Sequence, residues 1–130
     1  MTRLVLWLGA VIFVPFGLWI LLDPTGLAAL TERPLPTPTA MTESRAVDGG
    51  LVVALGVFFA VAALDPTKTR TGLVAMLLIG AGTFLGRCVG VVLDGGTAAT
   101  LRVASFELAL AILAGIALAR DARTHGGRHA

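Results

Sequence analysis

The sequence predicts an all-α fold, a four-helix transmembrane bundle that forms one membrane domain over residues 1–130. Three observations lead to this prediction. Of the 130 residues, 56% are hydrophobic and only 14% are charged, whereas about a quarter of a water-soluble domain is charged. The mean hydropathy is +0.89. Four apolar runs are each long enough to cross a hydrocarbon core of about 30 Å, and they leave room only for short connections.

The predicted spans cover about residues 4–22, 47–64, 73–93 and 101–119. The first span exceeds the apolar region of a signal peptide, and no cleavage site follows it directly, so we expect it to be retained. Pro15 lies inside this span and is expected to kink its helix. Residues 121–130 are predicted to form a flexible tail.

The loop between the first two spans is the only long one. Asp23 followed by Pro24 is typical of a helix N-cap and first turn, so a short helix is predicted to begin there. Prolines at positions 34, 36 and 38 favour an extended, polyproline-like strap. The tetrapeptide Leu-Asp-Pro-Thr at 22–25 recurs at 64–67. We interpret this recurrence as shared local capping chemistry, with an ancient duplication of a helix pair as the alternative.

Basic residues orient the predicted bundle, because Lys and Arg concentrate in cytoplasmic segments. The side that holds both termini carries Arg3, Lys68, Arg70, Arg120, Arg123 and Arg128. The opposite side carries only Arg33, Arg45 and Arg102. The sequence therefore predicts a multi-pass protein of the plasma (inner) membrane, with both termini in the cytoplasm and the proline-rich loop outside.

Small residues at four-residue spacing indicate faces where helices pack closely, since lipid supplies no hydrophobic drive between helices. The longest such stripe lies in the third span, and shorter ones lie in the second and fourth: Gly82, Gly86 and Gly90; Gly56 and Ala60; Ala111 and Gly115. We interpret these stripes as packing faces within the bundle. A surface for a second copy of the chain or for a partner subunit is the alternative.

Two charged residues lie inside the predicted spans, where each costs about 2.5–3.5 kcal/mol on insertion scales. Arg87 lies about 9 Å from the outer end of the third span, and Glu107 lies about 8 Å from the outer start of the fourth. Adjacent antiparallel helices would bring them side by side, so the sequence predicts an intramembrane Arg87–Glu107 ion pair. Four more charged residues are expected around the same outer mouth of the bundle: Glu43, Arg45, Asp48 and Asp94.

This polar cluster suggests binding rather than a reaction. Thr83, Arg87 and Asp94 share one side of the third helix, where they suit a polar headgroup whose tail lies along apolar helices. The alternatives are a structural ion pair that fixes helix order and depth, and passage of protons or a solute with Glu107 as the titrating group. Cys88 is interpreted as inert packing in an apolar helix. Without a nucleophile–base pair, a phosphate loop or metal-ligand spacing, we predict no catalytic residue, metal or cofactor.

Several motifs occur together along the chain. They are Glu43-x-Arg45-Ala46 before Gly49-Gly50, Gly86-Arg87 in the third span, Asp94-Gly95 at its end, and Glu107 in the fourth. With these features, from about residue 4 to 120, the chain resembles a bacterial family of four-span integral membrane proteins known only as a domain of unknown function. It also distantly resembles the DoxX-like proteins. In that family an aromatic residue often precedes the glycine pair, where this chain has Asp48. The resemblance implies a four-helix membrane bundle and no activity.

The sequence thus predicts a small non-enzymatic membrane protein, either an accessory subunit or a binder of a lipid-like, amphiphilic ligand at an outer-leaflet polar pocket. A small transporter or proton-coupled permease is the first alternative, and a membrane enzyme acting on an apolar substrate is the second. The expected partners are membrane lipid, a lipid-like small molecule, and a homo-oligomer or larger membrane complex, but not nucleic acid. The ligand, the oligomeric state and the partner protein stay open at this point.

Overall fold

The computed structural model describes residues 2–126, and within that range every regular element is a helix. The helices are α1 (Thr2–Leu22), α2 (Pro24–Leu30), α3 (Pro38–Leu64), α4 (Thr69–Asp94) and α5 (Ala98–Gly126). All of them except the short α2 are long and apolar enough to cross a membrane. The predicted all-α fold with four long apolar helices is confirmed, while the orientation of the termini stays a prediction.

α3 begins at Pro38, well before the predicted start of the second span at 47. The hydroxyl of Thr37 caps this helix by accepting a hydrogen bond from the backbone nitrogen of Ala40 at 3.1 Å. Pro38 occupies the first turn, where its fixed φ suits a helix and its missing N–H leaves nothing unsatisfied. Including position 38 in an extended strap was therefore wrong. Between α2 and α3, only residues 33–36 are neither helix, turn nor bend.

The last two long helices also exceed their predicted spans. α4 starts at Thr69 rather than 73, and α5 starts at Ala98 rather than 101. α5 continues to Gly126, past the predicted end at 119. Residues 127–130 of the predicted tail lie outside the described residues, and the flexibility of the tail stays a prediction.

The repeated Leu-Asp-Pro-Thr segments share one hydrogen-bonding pattern. Asp23 accepts bonds from the backbone nitrogen of Thr25, at 3.1 Å, and from its hydroxyl. Asp65 accepts the equivalent bonds from Thr67, at 2.9 and 2.7 Å. Because hydrogen bonds favour the ionised carboxylate, the Thr25 hydroxyl lowers the pKa of Asp23. Hydrogen bonds from the Thr67 hydroxyl, the largest contribution, and from Lys68, the next largest, lower the pKa of Asp65 to about 2.

The described chain divides into two compact units: a first unit of residues 7–61, and a second unit of residues 2–6 with 62–126. In the first unit α1 and α3 run antiparallel. Contacts nearer the C-terminus of α1 are made with residues nearer the N-terminus of α3. A Cβ added at Gly56 would lie 2.8 Å from the backbone nitrogen of Val14, and one added at Gly17 would lie 2.7 Å from that of Val53. Only glycine allows these two backbones to approach so closely.

The second unit is built around α4 and α5, which also run antiparallel. A Cβ added at Gly80 would lie 3.0 Å from the backbone oxygen of Glu107 and 3.1 Å from the backbone nitrogen of Ala111. Farther along, Gly115 faces the side chain of Leu77. Ala111 is buried at this contact. Small residues therefore bring the two helices together close to the two charged positions predicted to pair.

The glycine stripe of the third span lies on another face of α4. A Cβ added at Gly82, Gly86 or Gly90 would meet no other atom of the second unit within 4 Å. Gly80 is the glycine at the α5 contact, and residues two apart on a helix point in nearly opposite directions. The three glycines therefore do not pack within the described part of this unit. A role against something outside the chain stays a prediction.

The shorter stripes behave differently from one another. Gly56 makes the close approach to α1 described above, whereas Ala60, one turn farther along, is half-buried. Ala111 is buried against Gly80, and Gly115 is half-buried with Leu77 at van der Waals distance. Close packing of the helices thus depends on particular members of each stripe.

Candidate functional site

Arg87 of α4 and Glu107 of α5 form a salt bridge in the second unit. The Nε of Arg87 donates to Oε2 of Glu107 at 2.8 Å, and the two side chains are 38% and 13% exposed. Helical side chains tilt towards the N-terminus of their helix. In antiparallel α5 this tilt carries Glu107 from its backbone position beside Gly80 towards Arg87. That this pair lies inside a membrane stays a prediction.

Arg87 lines an open groove with a cavity volume of about 450 Å³. The groove follows one side of α4 to its end and reaches the first turn of α5. Its lining residues are Thr83, Gly86, Arg87, Gly90, Val91, Asp94, Gly95 and Thr100. Thr83, Arg87 and Asp94 therefore share one face, as their spacing predicts. Glu107 itself does not line the groove but holds Arg87 from the side.

The groove carries polar groups that are only partly used by the protein. A guanidinium has five N–H donors, and the salt bridge to Glu107 engages the one on Nε. Asp94 is exposed, and its carboxylate makes no hydrogen bond or ion pair with any other residue in the range 2–126. The hydroxyl of Thr83 is turned onto its own helix, where it donates to the backbone oxygen of Ile79 at 2.9 Å. Arg87 and Asp94 are thus the groups with capacity to bind a ligand.

The other predicted site residues belong to the first unit, and two of them have local partners there. Asp48 accepts hydrogen bonds from the hydroxyl of Ser44, at 2.8 Å, and from Nη2 of Arg33. Arg45 donates to the backbone oxygens of Leu21 and Leu22, which are left without helical partners at the end of α1. The predicted common mouth of these residues with Arg87, Asp94 and Glu107 stays a prediction.

The geometry of this first-unit cluster comes from a π-helical segment, Arg45–Gly50, within α3. Such a segment widens the helix by one residue and frequently occurs at functional sites. It presents Arg45 to the end of α1 and places Gly49 where an added Cβ would lie 3.0 Å from the backbone nitrogen of Leu21. Of the predicted glycine pair, Gly49 thus makes the close approach. An added Cβ at Gly50 would meet only its own segment, at 3.7 Å.

Three features of the predicted cluster need correction or addition. Arg33 was not predicted as a member, because its pairing with Asp48 joins a loop to a helix and leaves no periodic signal in the sequence. Glu43 is exposed, and its carboxylate has no hydrogen-bond or ion-pair partner among the described residues. Cys88 is exposed rather than packed against another part of the described second unit.

The helices and this groove define a class of protein, a small multi-pass helical membrane protein with a polar groove beside an interhelical salt bridge. A family model described as Domain of unknown function (DUF4345) matches residues 1–118. The chain belongs to this family, and the match includes every residue that lines the groove. No curated protein and no solved structure matches the chain. The distant likeness to DoxX-like proteins stays a prediction.

Proposed function

We propose that the protein is a non-enzymatic protein of the plasma (inner) membrane that binds the polar headgroup of a lipid-like, amphiphilic molecule in the groove of α4. One observation carries this proposal. Arg87 is held by Glu107 yet remains 38% exposed in an open groove. The part of the guanidinium that Glu107 does not engage is therefore accessible from the groove, where it can contact a ligand.

Apolar surface adjoins the groove on its own side of α4. Val91 lines the groove, and Leu93 is exposed next to Gly90, three residues farther along the helix. An acyl chain can therefore contact apolar side chains beside a headgroup in the groove, which is the arrangement that an amphiphile requires. Leu85, Val89 and Val92 are also exposed, but they lie towards the opposite side of the helix from Arg87 and Asp94.

The salt bridge also supports a structural role for the same pair. Removing one partner of a poorly solvated ion pair leaves an unpaired charge, which typically costs more than the pair itself contributes. Glu107 is only 13% exposed, so Arg87→Ala by itself is expected to lower the stability of the fold. The test of binding therefore needs the double variant Arg87→Ala/Glu107→Gln, which removes both charges together.

Native mass spectrometry of the protein, purified in mild detergent, tests the proposal. The wild-type chain should carry an amphiphile of defined mass, and the double variant should lose it while keeping its helical circular dichroism. Arg102→Ala is the matched control, because Arg102 is an exposed arginine of α5 that does not line the groove. Equal retention by the double variant, or a wild-type chain without any adduct, would contradict the proposal.

Proton-coupled transport is the alternative function that the Arg87–Glu107 pair allows, and it can be tested as well. If Glu107 carried protons, Glu107→Gln would abolish a pH-driven flux in vesicles while the helices stayed intact. A flux of that kind, together with no retained amphiphile, would assign the protein to the transporters instead. Protein that co-purifies with a second polypeptide at fixed ratio, and loses it in the double variant, would assign an accessory-subunit role.

We also propose that both termini face the cytoplasm, which places the Asp94 end of the groove at the outer surface. The excess of basic residues on the side of the termini supports this orientation. Cysteines introduced separately at Thr71 and Thr97, two exposed positions near opposite ends of α4, test it on a Cys88→Ser background. An impermeant thiol reagent added outside should label position 97 and spare position 71, and the reverse pattern would overturn the orientation.

A further inference from the structure

We infer that the groove recognises a zwitterionic headgroup, with the phosphate at Arg87 and a primary ammonium at Asp94, as in phosphatidylethanolamine. The inference rests on the proposed function and adds the chemical class of the ligand. Its basis is that one groove carries a guanidinium with free N–H donors and, two helical turns away, a carboxylate with no partner among residues 2–126.

The Arg87 end of the groove suits a phosphate. Planar guanidinium groups bind phosphate oxygens through two parallel N–H bonds, which a point-charge ammonium does not provide. Glu107 engages Nε at 2.8 Å and so fixes the plane of the group. The four N–H donors on the terminal nitrogens are then presented in a defined direction, and ligand binding does not have to order a mobile side chain.

The Asp94 end suits a cation. Asp94 is the last residue of α4, where the helix dipole places partial negative charge and the final carbonyl groups lack helical partners. A carboxylate at this end is unfavourable by itself, and no basic side chain in the described range compensates it. A bound ammonium would satisfy both Asp94 and the negative end of the helix, so the ligand explains an otherwise costly position.

The spacing of the two positions along α4 suits a small headgroup. Arg87 and Asp94 are seven residues apart, which is about 10 Å along the helix axis and nearly the same direction around it. Gly90 lies between them and has no side chain to fill the groove. The headgroup can therefore lie directly against the backbone of α4.

This chemistry distinguishes phosphatidylethanolamine from two related lipids. Phosphatidylglycerol has the phosphate but brings no cation to Asp94. Phosphatidylcholine brings a cation whose methyl groups cannot donate a hydrogen bond. Because hydrogen bonds between charged groups are stronger than neutral ones, and neither other lipid can form one at Asp94, phosphatidylethanolamine should bind about tenfold more tightly than either lipid.

The test is a lipid titration of the delipidated full-length chain in mild detergent, read as the occupancy of the one-to-one adduct by native mass spectrometry. The probes are phosphatidylethanolamine, phosphatidylglycerol and phosphatidylcholine with identical dioleoyl chains. Asp94→Asn should lower the affinity for phosphatidylethanolamine about tenfold and leave that for phosphatidylglycerol unchanged or higher. Glu32→Gln, at an exposed acid outside the groove, should change neither affinity.

A steric pair of variants locates the site. Gly90→Leu should block lipid binding, because the new side chain would occupy the groove. Gly82→Leu should leave binding unchanged, because Gly82 lies on α4 with equally open surroundings but does not line the groove. Equal losses from both variants, or from neither, would place the lipid elsewhere and overturn the inference.

The outcomes separate this inference from the proposed function. A preference for phosphatidylethanolamine that Asp94→Asn removes supports both. Equal wild-type affinity for the three lipids, or a preference for phosphatidylglycerol, overturns the zwitterion assignment while leaving a headgroup site at Arg87. No binding of any of the three lipids by the wild-type chain overturns the inference, and the mass of a co-purified adduct then decides the proposed function separately.

Discussion

Replacing Gly80 with alanine should push α4 and α5 apart at the level of Glu107. The added Cβ would lie 3.0 Å from the Glu107 backbone oxygen, 3.1 Å from the Ala111 backbone nitrogen and 3.3 Å from the Ala111 Cβ. Each separation is shorter than an ordinary van der Waals contact. Two of the three neighbours are backbone atoms, so a change of side-chain rotamer cannot relieve the contact and the helices themselves must shift.

The expected cost follows from this geometry. Overpacking a close-packed contact typically costs about 1–3 kcal/mol. The neighbours have to move by only a few tenths of an ångström, so we expect the lower part of that range, about 1–2 kcal/mol. Alanine also favours a helix over glycine by about 0.5–1 kcal/mol, and this gain partly offsets the loss.

Gly82→Ala is the matched control, because it makes the same chemical change two residues away on the same helix. Its added Cβ would meet nothing within 4 Å in the second unit. The gain in helix propensity is common to both variants and cancels in their difference. Gly80→Ala should therefore be less stable than Gly82→Ala by about 1–2 kcal/mol.

Reversible unfolding in mixed micelles, followed by far-UV circular dichroism as the fraction of sodium dodecyl sulfate rises, measures this difference. Equal midpoints for the two variants would refute the assigned packing face. A larger loss from Gly82→Ala would go further, since it would mean that the open glycine face is covered by a second copy or another partner. Repeating the measurement over a range of protein concentrations would identify a second copy.

Two further predictions concern the ends of helices. Glu32 has a φ of 55° in a helix-ending turn where Arg33 N donates to Ala28 O at 2.9 Å. A left-handed backbone conformation costs a residue with a side chain about 1–2 kcal/mol, a cost that glycine avoids. Glycine also adds conformational entropy to the unfolded chain, which offsets part of this gain. Glu32→Gly should therefore raise the free energy of unfolding by about 0.5–1 kcal/mol, and a lower midpoint in the same micelle titration would contradict this. Asp65 should make stability depend on pH, because its pKa falls from 3.8 to about 2 on folding, chiefly through the Thr67 hydroxyl. A depressed pKa stabilises the fold fully above 3.8 and loses this effect as the pH falls towards 2. The melting temperature of the wild-type chain should thus approach that of Asp65→Asn between pH 4 and 2, and parallel pH profiles would show that Asp65 does not contribute.

Local patterns in the sequence determined much of this protein. Hydropathy is a sum over neighbouring residues, so it predicted the four long helices without knowledge of their partners. The capping of α2 by Asp23 and the Asp–Thr turns also depend only on residues two or three apart. The matching positions of Arg87 and Glu107 along two helices followed from counting residues from the ends of two spans. Their salt bridge needed only that α4 and α5 be antiparallel neighbours.

Competition between local signals was resolved only by the structure. The prolines of the first loop favoured an extended strap, but Thr37 and Pro38 together make a good helix start, and the helix forms. The partner of Asp48 was also beyond local reasoning, because Arg33 lies fifteen residues away across an irregular loop. Neither periodicity nor composition indicates which of several cations such a carboxylate will bind.

The buried face of α4 is the clearest case of a feature that only tertiary structure decided. Gly72, Met76 and Gly80 repeat at the same four-residue spacing as Gly82, Gly86 and Gly90, yet only the first set is buried. In a water-soluble helix the polar face would reveal the difference. Lipid is as apolar as the residues that helices bury against one another, so hydropathy does not distinguish the two faces of such a helix. The choice depends on the shape of the neighbouring helix, which only the folded chain presents.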